Sequence, residues 1–342
     1  MTNLDIKDTI FISGLEILKE KFTDLYSCID LEKIPVSIQL IKEIESEFAD
    51  FESADTGGRG EVYRIAQKNI TVRSEGIKNI FSLLSPNEKI ENLSSDMKLL
   101  DALGGDGLLT KVISNIIDSK NLPQILTTDI SADMINAAKK HSIPALRLAA
   151  QYLAIKDYSL DGVIFAYGTH HIPVSQRLQA CKEAYRVLKK GGKFILHDFE
   201  SCSPVANWFQ EVVHKYSLTG HDFSHFDYNE IKSYLYKSGF ESFKIEYMYD
   251  PFIFTGNSMA DVKFQFTDYL HNMYGLYKLD LQFGEQEVHD VIYQLANKYF
   301  VYDYQQLGVS QSFGKKTVKI NQIGQRWQLE MPRVAIVGSG IK

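Results

Sequence analysis

The chain has 342 residues, 44% of them hydrophobic and 23% charged, with 37 basic against 43 acidic side chains and a formal net charge of −6. That apolar content fills a core and excludes global disorder, while the mildly acidic balance argues against a nucleic-acid coat protein, which needs a clustered positive field. Three scattered cysteines (Cys28, Cys181, Cys202) exclude a disulfide framework or a CxxC metal knuckle, and no run reaches the roughly 18 apolar residues of a membrane span.

Residues 1 to about 94 read as helices: ISGLEILKEKFTDLY and VSIQLIKEIESEFADF carry apolar residues at i, i+3, i+4 spacing. Between them and IKNIFSLL lies the Gly-rich TGGRGEVYR (56–64), which reads equally as a mobile cap carrying Arg59 and Tyr63 or as a surface turn. From Lys98 strands and helices alternate. KLLDALGG, ILTTDIS, DGVIFAYG and GKFILHDF are strand candidates, separated by the helical LLTKVISNIID, ADMINAAKKH and RLQACKEAYRVLKKG. That alternation predicts an α/β fold with a Rossmann-like, mainly parallel sheet and helices on both faces. FKIEYMYDPFIF is a further strand candidate, 257–316 returns to helical texture, and RWQLEMPRVAIVGSGIK closes as a strand or hairpin arm. The expected organisation is an N-terminal helical cap (1–94), a sheet domain (95–256 and 317–342) and a helical lid or substrate insertion (257–316). VAIVGSGIK mimics the opening of a dinucleotide-binding fold, but no helix and second strand follow it within the sequence.

In a parallel α/β sheet the ligand sits at the carboxyl ends of the strands. There LLDALGGDG joins a strand to a helix, and Gly104, Gly105 and Gly107 open the backbone to a ligand; a plain tight turn is the alternative. Further on, Asp129 ends the second strand, where a carboxylate can accept from both hydroxyls of a ribose. Capping the helix ADMINAAKK is the competing role, although Ser131 already fits that position. His170 and His171 follow the third of these strands, and His197 and Asp198 end the next. An imidazole there is either a general base near neutrality or part of a packed polar wall. His214, His221, Asp222 and His225 lie in HKYSLTGHDFSHF; a divalent metal site or a polar loop over the site mouth are the readings, and the spacing matches no helix-face motif such as HExxH, so no metal is expected.

LLDALGGDG, TTDISADMINAAKK, YSLDGVIFAYGTHHI and EAYRVLKKGGKFILHDF, in that order, resemble the motifs of class I S-adenosylmethionine-dependent methyltransferases over about 98–200, and more loosely to 250. The resemblance implies S-adenosylmethionine as cofactor. Asp101 and the turn of Leu103, Gly104, Gly105 and Gly107 would hold its methionine end, Asp129 its ribose and Ile130 its adenine face, with Tyr167 and Gly168 beside the sulfonium. Two departures stand out: Leu103 replaces the first glycine of the usual Gly-x-Gly-x-Gly turn, and Ala149 aligns with the usual acidic contact to the adenine amine, leaving Gln151 as a substitute acceptor.

The expected activity is methyl transfer to a small, aromatic or carbonyl-bearing metabolite. His171, His170 and His197 are the candidate catalytic groups, and Tyr63, Asp198, His221 and His225 the candidate substrate contacts. Thirteen of the 19 tyrosines lie beyond residue 200, where they suit an acceptor pocket or simply an aromatic core. The alternatives are an S-adenosylmethionine-binding enzyme of cyclisation or elimination, and a non-catalytic partner of the same fold. The expected partners are a small molecule, neither nucleic acid nor membrane, and a second copy of the chain through the N-terminal helices. Because MTNLDIKDTI lacks the apolar stretch of a secretion signal, the expected location is cytoplasmic.

Overall fold

The structure is a computed structural model and describes residues 6–44, 60–284, 287–303 and 315–342. Its strands are β1 (Lys98–Ala102), β2 (Gln124–Asp129), β3 (Ala145–Arg147), β4 (Leu160–Phe165), β5 (Leu188–Asp198), β6 (Ser242–Tyr249), β7 (Phe252–Gly256), β8 (Tyr302–Asp303), β9 (Lys315–Lys316), β10 (Lys319–Ile323), β11 (Arg326–Met331) and β12 (Val334–Ile341). Seven of them build the central sheet in the order β3-β2-β1-β4-β5-β12-β6. Every pairing in it is parallel except the two made by β12, which runs antiparallel to both β5 and β6.

Both faces of the sheet are covered because its inner strands are apolar on both sides, as buried parallel strands are. Leu99, Ile125, Ile164 and Ile195 face one core, which also takes Ile77, Phe81 and Leu84 from the helix Ser74–Leu84 and Phe266 and Leu270 from the helix Met259–Tyr274. Leu100, Leu126, Val163, Phe165, Phe194 and Leu196 face the other, with Phe11 and Leu18 from the helix Ile6–Lys21 and Ile231 and Leu235 from the helix Tyr228–Ser238. The N-terminal helices therefore divide between the two faces.

About eighty residues separate β6 from β12. Within them β7, β11 and β10 form their own antiparallel sheet with β11 in the middle, and β8 pairs with β9. Of the expected sheet segment 317–342, only β12 enters the central sheet. β11 finds its hydrogen-bond partners in β7 and β10, under the helix Met259–Tyr274. The Gly-rich loop 56–64 is described only from Gly60, where the helix Gly60–Gln67 begins; Arg59 lies outside the described residues.

The turn after β1 is built from left-handed backbone: Leu103, Gly105 and Gly107 have φ of 65°, 56° and 82°. At Gly107 a Cβ would also stand 2.5 Å from Ile143 Cδ1. A non-glycine residue at such φ costs roughly 1–2 kcal/mol. Gly107→Ala is accordingly expected to lower the unfolding free energy by about 1–2 kcal/mol in urea titrations; an unchanged midpoint would remove the strain argument.

Candidate active site

An open cleft of about 770 Å³ lies at the carboxyl ends of β1, β2 and β4. Leu103 and Gly105 enter it after β1, Asp129, Ile130 and Ser131 at and after β2, and Tyr167 and Gly168 after β4. Gln151, His171, Met134 and Ile172 complete the walls, and Tyr63 reaches in from the helix Gly60–Gln67. The Asp129 carboxylate accepts from the backbone N–H groups of Gly105 and Ser131, both at 2.9 Å, which locks the two turns together. Ser131, not Asp129, caps the following helix, its Oγ accepting from Met134 N at 3.2 Å. Gln151 gives its Nε2 to Gln176, so its amide oxygen is the atom left as an acceptor.

Asp101 is not in the cleft wall. It is 1% exposed beneath the turn, and neither carboxylate oxygen has a hydrogen-bond partner. Burial first, then the nearby Asp129 and Asp106, push its carboxyl well above the ordinary range. Gly104 is required there, since a Cβ would stand 2.5 Å from Asp101 Oδ2 and 2.8 Å from Thr127 Cγ2.

A second, smaller and more deeply set cavity shares Tyr63, Tyr167 and His171 with the cleft. Its remaining wall comes from Arg73, Arg333, His170, Phe199, Phe209, Met273 and Tyr274. Asp250, fully buried, anchors that wall. Its Oδ1 accepts from Tyr167 Oη at 2.9 Å, Arg333 Nη2 donates to its Oδ2, and Arg333 Nε donates to its backbone carbonyl at 2.9 Å. Burial first, then Asp250, hold the Tyr167 hydroxyl well above its ordinary range, so it stays protonated as a donor. Tyr167 itself sits at φ 62°.

The histidines fall into distinct places. His170 donates its backbone N–H to Asp198 at 2.7 Å, and its Nδ1 lies 2.9 Å from both carboxylate oxygens, while its Nε2 faces His221 Nε2 at 3.3 Å. Burial would raise the Asp198 carboxyl, but His170 and His225 beside it hold it well below the ordinary range. His221 and His225 line an outer pocket with Phe209, away from the cleft. His197 is fully buried behind Tyr167, ring centroids 4.5 Å apart, and lines neither cavity; burial lowers its pKa, so it is neutral there. Of the histidines, only His171 borders both cavities. The triplets His170, His171, His221 and His170, Asp198, His225 each bring their ligand atoms within 4.8 Å of one another, close enough to share a cation.

Residues 100–196 match the model of a family described as a methyltransferase domain. The match runs from β1 into β5 and takes in the strand ends that border the cleft. Among curated proteins, the chain is 34% identical over 120 residues to the ubiquinone/menaquinone biosynthesis C-methyltransferase UbiE of Rickettsia prowazekii, covering 32% of this chain and 47% of that one. It is 29% identical over 146 residues to the mitochondrial 2-methoxy-6-polyprenyl-1,4-benzoquinol methylase of Oryza sativa, covering 36% and 48%. The chain thus spans about half the length of the curated relatives it matches. Among solved structures, the protein BH2331 of Bacillus halodurans is similar at a TM-score of 0.43 and 19% identity, over 73% of this chain and 95% of that one.

From the matched segment 100–196 the cleft gathers Leu103, Gly105, Asp129, Ile130, Gln151, Tyr167, Gly168 and His171, all named in the sequence analysis, together with Tyr63 from outside it. Gly104 and Gly107 shape the turn without lining the cleft, and His170, His197, Asp198, His221 and His225 stand behind or beside it. The sequence reading misses Arg73, Asp250 and Arg333, whose only local signal is charge inside apolar runs such as ITVR and MPRVAIV.

Two outcomes follow from the buried carboxylates. Because the Asp101 carboxyl is held high in the folded chain, it favours folding below its unfolded value of about 4 and turns unfavourable as pH rises through the folded value. Asp101→Asn is expected to melt above wild type at pH 7.5, the gap closing toward pH 4; a lower melting temperature at pH 7.5 would count against it. At Gly76, in the helix Ser74–Leu84, a Cβ would fall 1.7 Å from Asp250 Oδ1. The gain in helix propensity from Gly to Ala, about 1 kcal/mol, is outweighed by overpacking of about 1–3 kcal/mol and by disruption of the Asp250 contacts. Gly76→Ala should therefore be net destabilised in denaturant, and a net gain would show that Asp250 yields freely.

Proposed function

We propose that this protein transfers a methyl group from S-adenosylmethionine to a small molecule held in the inner cavity. The observation that carries this reading is the wall of Tyr63, Tyr167 and His171 common to cleft and cavity, which sets a donor in one against an acceptor in the other. When bound, S-adenosylmethionine supplies a methyl group on a positively charged sulfur. Methyl transfer is an in-line displacement, so what the chain provides is chiefly alignment and the exclusion of water.

The residues at the cleft suit the cofactor. Asp129 would hold the ribose, Ile130 the adenine face and the Gln151 oxygen the adenine amine. Asp101, unpartnered under the turn of Gly104 and Gly105, is held toward its neutral form and would ionise only with a cation beside it, such as an ammonium at the methionine end. His171 is positioned to take a proton from an acceptor that loses one as it attacks, while Asp198 and His170 form the wall beside it. Phe199, Phe209 and Tyr274 favour an aromatic or carbonyl-bearing acceptor, in keeping with the benzoquinol in the name of the Oryza sativa relative and the quinone biosynthesis in that of the Rickettsia prowazekii one. In this reading the N-terminal helices up to residue 94 and the helices within 257–316 are cap and lid, and the sheet carries the cofactor. No helix among the described residues is long and apolar enough to cross a membrane. A homodimer through the N-terminal helices, where Leu31 and Val36 are exposed, belongs to the same proposal; light scattering that reports a monomer would remove it.

The test is incubation of the full chain with methyl-labelled S-adenosylmethionine and a metabolite extract. Label recovered in a small-molecule product supports methyl transfer, and cofactor binding without labelled product favours the cyclisation, elimination or non-catalytic readings. In calorimetry, Asp129→Ala is expected to weaken S-adenosylhomocysteine binding by tenfold or more. An affinity equal to wild type would remove Asp129 from the cofactor site. His171→Ala is expected to lower turnover of the labelled product at least tenfold with little change in cofactor affinity, the size usual for a positioned base.

A further inference from the structure

The lining of the inner cavity includes two arginines and no carboxylate. Arg73 and Arg333 are 2% and 1% exposed; Asp250, 0% exposed, pairs with Arg333, and the other buried carboxylate near this wall, Asp198, is taken up by His170. One Asp250 oxygen takes Arg333 and the other Tyr167. Arg73 instead donates Nε to Tyr269 Oη at 3.1 Å and places Nη2 3.3 Å from Met273 Sδ, and its Nη1 has no partner at all. His197, the titratable ring nearest Asp250, is held neutral by burial and adds nothing to the balance.

A buried guanidinium without a carboxylate is expensive: the penalty for taking such an ion out of water is several kcal/mol unless charge and hydrogen bonds replace the solvent. Part of the replacement is present, since Arg73 lies over the rings of Tyr167 and Phe252, 4.9 Å and 5.4 Å from their centroids. Ring faces contribute about 2 kcal/mol to a desolvated cation, well short of that penalty. They also leave the N–H groups of Nη1 unused, charged donors suited to a carboxylate oxygen.

We propose that Arg73 is the anion-recognition residue of the acceptor site, and that the acceptor is a small carboxylic acid bound as its carboxylate in the inner cavity. This rests on the methyl-transfer reading and narrows its substrate class. A carboxylate matches the single uncompensated charge, whereas a phosphate monoester carries about −1.5 to −2 at neutral pH and would overshoot it. The aromatic wall of Phe199, Phe209 and Tyr274 takes the apolar body of the same molecule and keeps water from the ion pair.

The probes are benzoate and its neutral isostere benzamide, titrated calorimetrically into the full chain at pH 7.5, with and without saturating S-adenosylhomocysteine. Benzoate is expected to bind wild type at least tenfold more tightly than benzamide. Arg73→Met should erase that preference, and Arg73→Lys should retain part of it because the charge remains. Melting temperature and S-adenosylhomocysteine affinity, measured on each variant, establish that the cleft is intact. Equal binding of the two probes, binding of neither, or a benzoate preference that survives Arg73→Met would overturn the assignment. Loss of S-adenosylhomocysteine binding by wild type would strike the cofactor reading separately, because the benzoate comparison is also made without it.

Discussion

One buried carboxylate ties the molecule together. Asp250 lies just past the end of β6, and its partners come from three other parts of the chain: Tyr167 after β4, Arg333 immediately before β12, and the helix Ser74–Leu84, which approaches it at Gly76. Burying a charge at this depth is tolerable only while each partner is in place. The sheet, the N-terminal helices and the long insertion are therefore held to a single arrangement by one group, and the arrangement it fixes is the inner cavity. Truncating any of its partners leaves an uncompensated charge in the core, so these positions answer together to perturbation.

The cleft at the carboxyl ends of β1, β2 and β4 rests on a different constraint, the path of the backbone. Leu103 and Tyr167 both occupy left-handed φ, a conformation that disfavours side chains and persists where the surroundings over-determine it. Both border the cleft, and Leu103 Cβ lies 3.6 Å from where a Cβ on Gly168, the residue after Tyr167, would stand. A glycine at 103 would ease the first turn, but the leucine side chain packs against the core around Phe165 and Leu196. The departure from a glycine turn is thus offset by burial, and the cleft gains a bulkier, more apolar wall.

Much of this was legible in the sequence because it is local. β1, β2, β4 and β5 appear as apolar runs closed by turns, and Asp129, Ser131 and the Gly-rich turn are read within about thirty residues of one another. β3 was not, since three residues are too short to show a period. The final strand was visible as a strand, but its antiparallel place between β5 and β6 depends on a pairing across more than eighty residues. The inner cavity was the least legible part. Residues 73, 167, 250 and 333 share no motif, and a lone arginine in ITVR reads like any other charge until Tyr269 and the Tyr167 ring are seen beside it. The histidines illustrate the same limit: spacing brought His170 and His197 forward as bases, yet Asp198 claims the first and burial behind Tyr167 removes the second from both cavities.

The place of β12 also sets an order of assembly. It lies between β5 and β6, so those two strands cannot be bridged until Val334–Ile341 arrives, after the whole insertion has been made. Until then β5 and β6 each carry an unpaired edge, the kind of exposed backbone that templates association between chains. Arg333 arrives in the same step, directly ahead of β12, and brings the counter-charge for Asp250. At a synthesis rate of about 5–20 residues per second, the stretch between β6 and β12 takes several seconds to make, so both strand edges and Asp250 wait that long for the partners that Arg333 and β12 bring together.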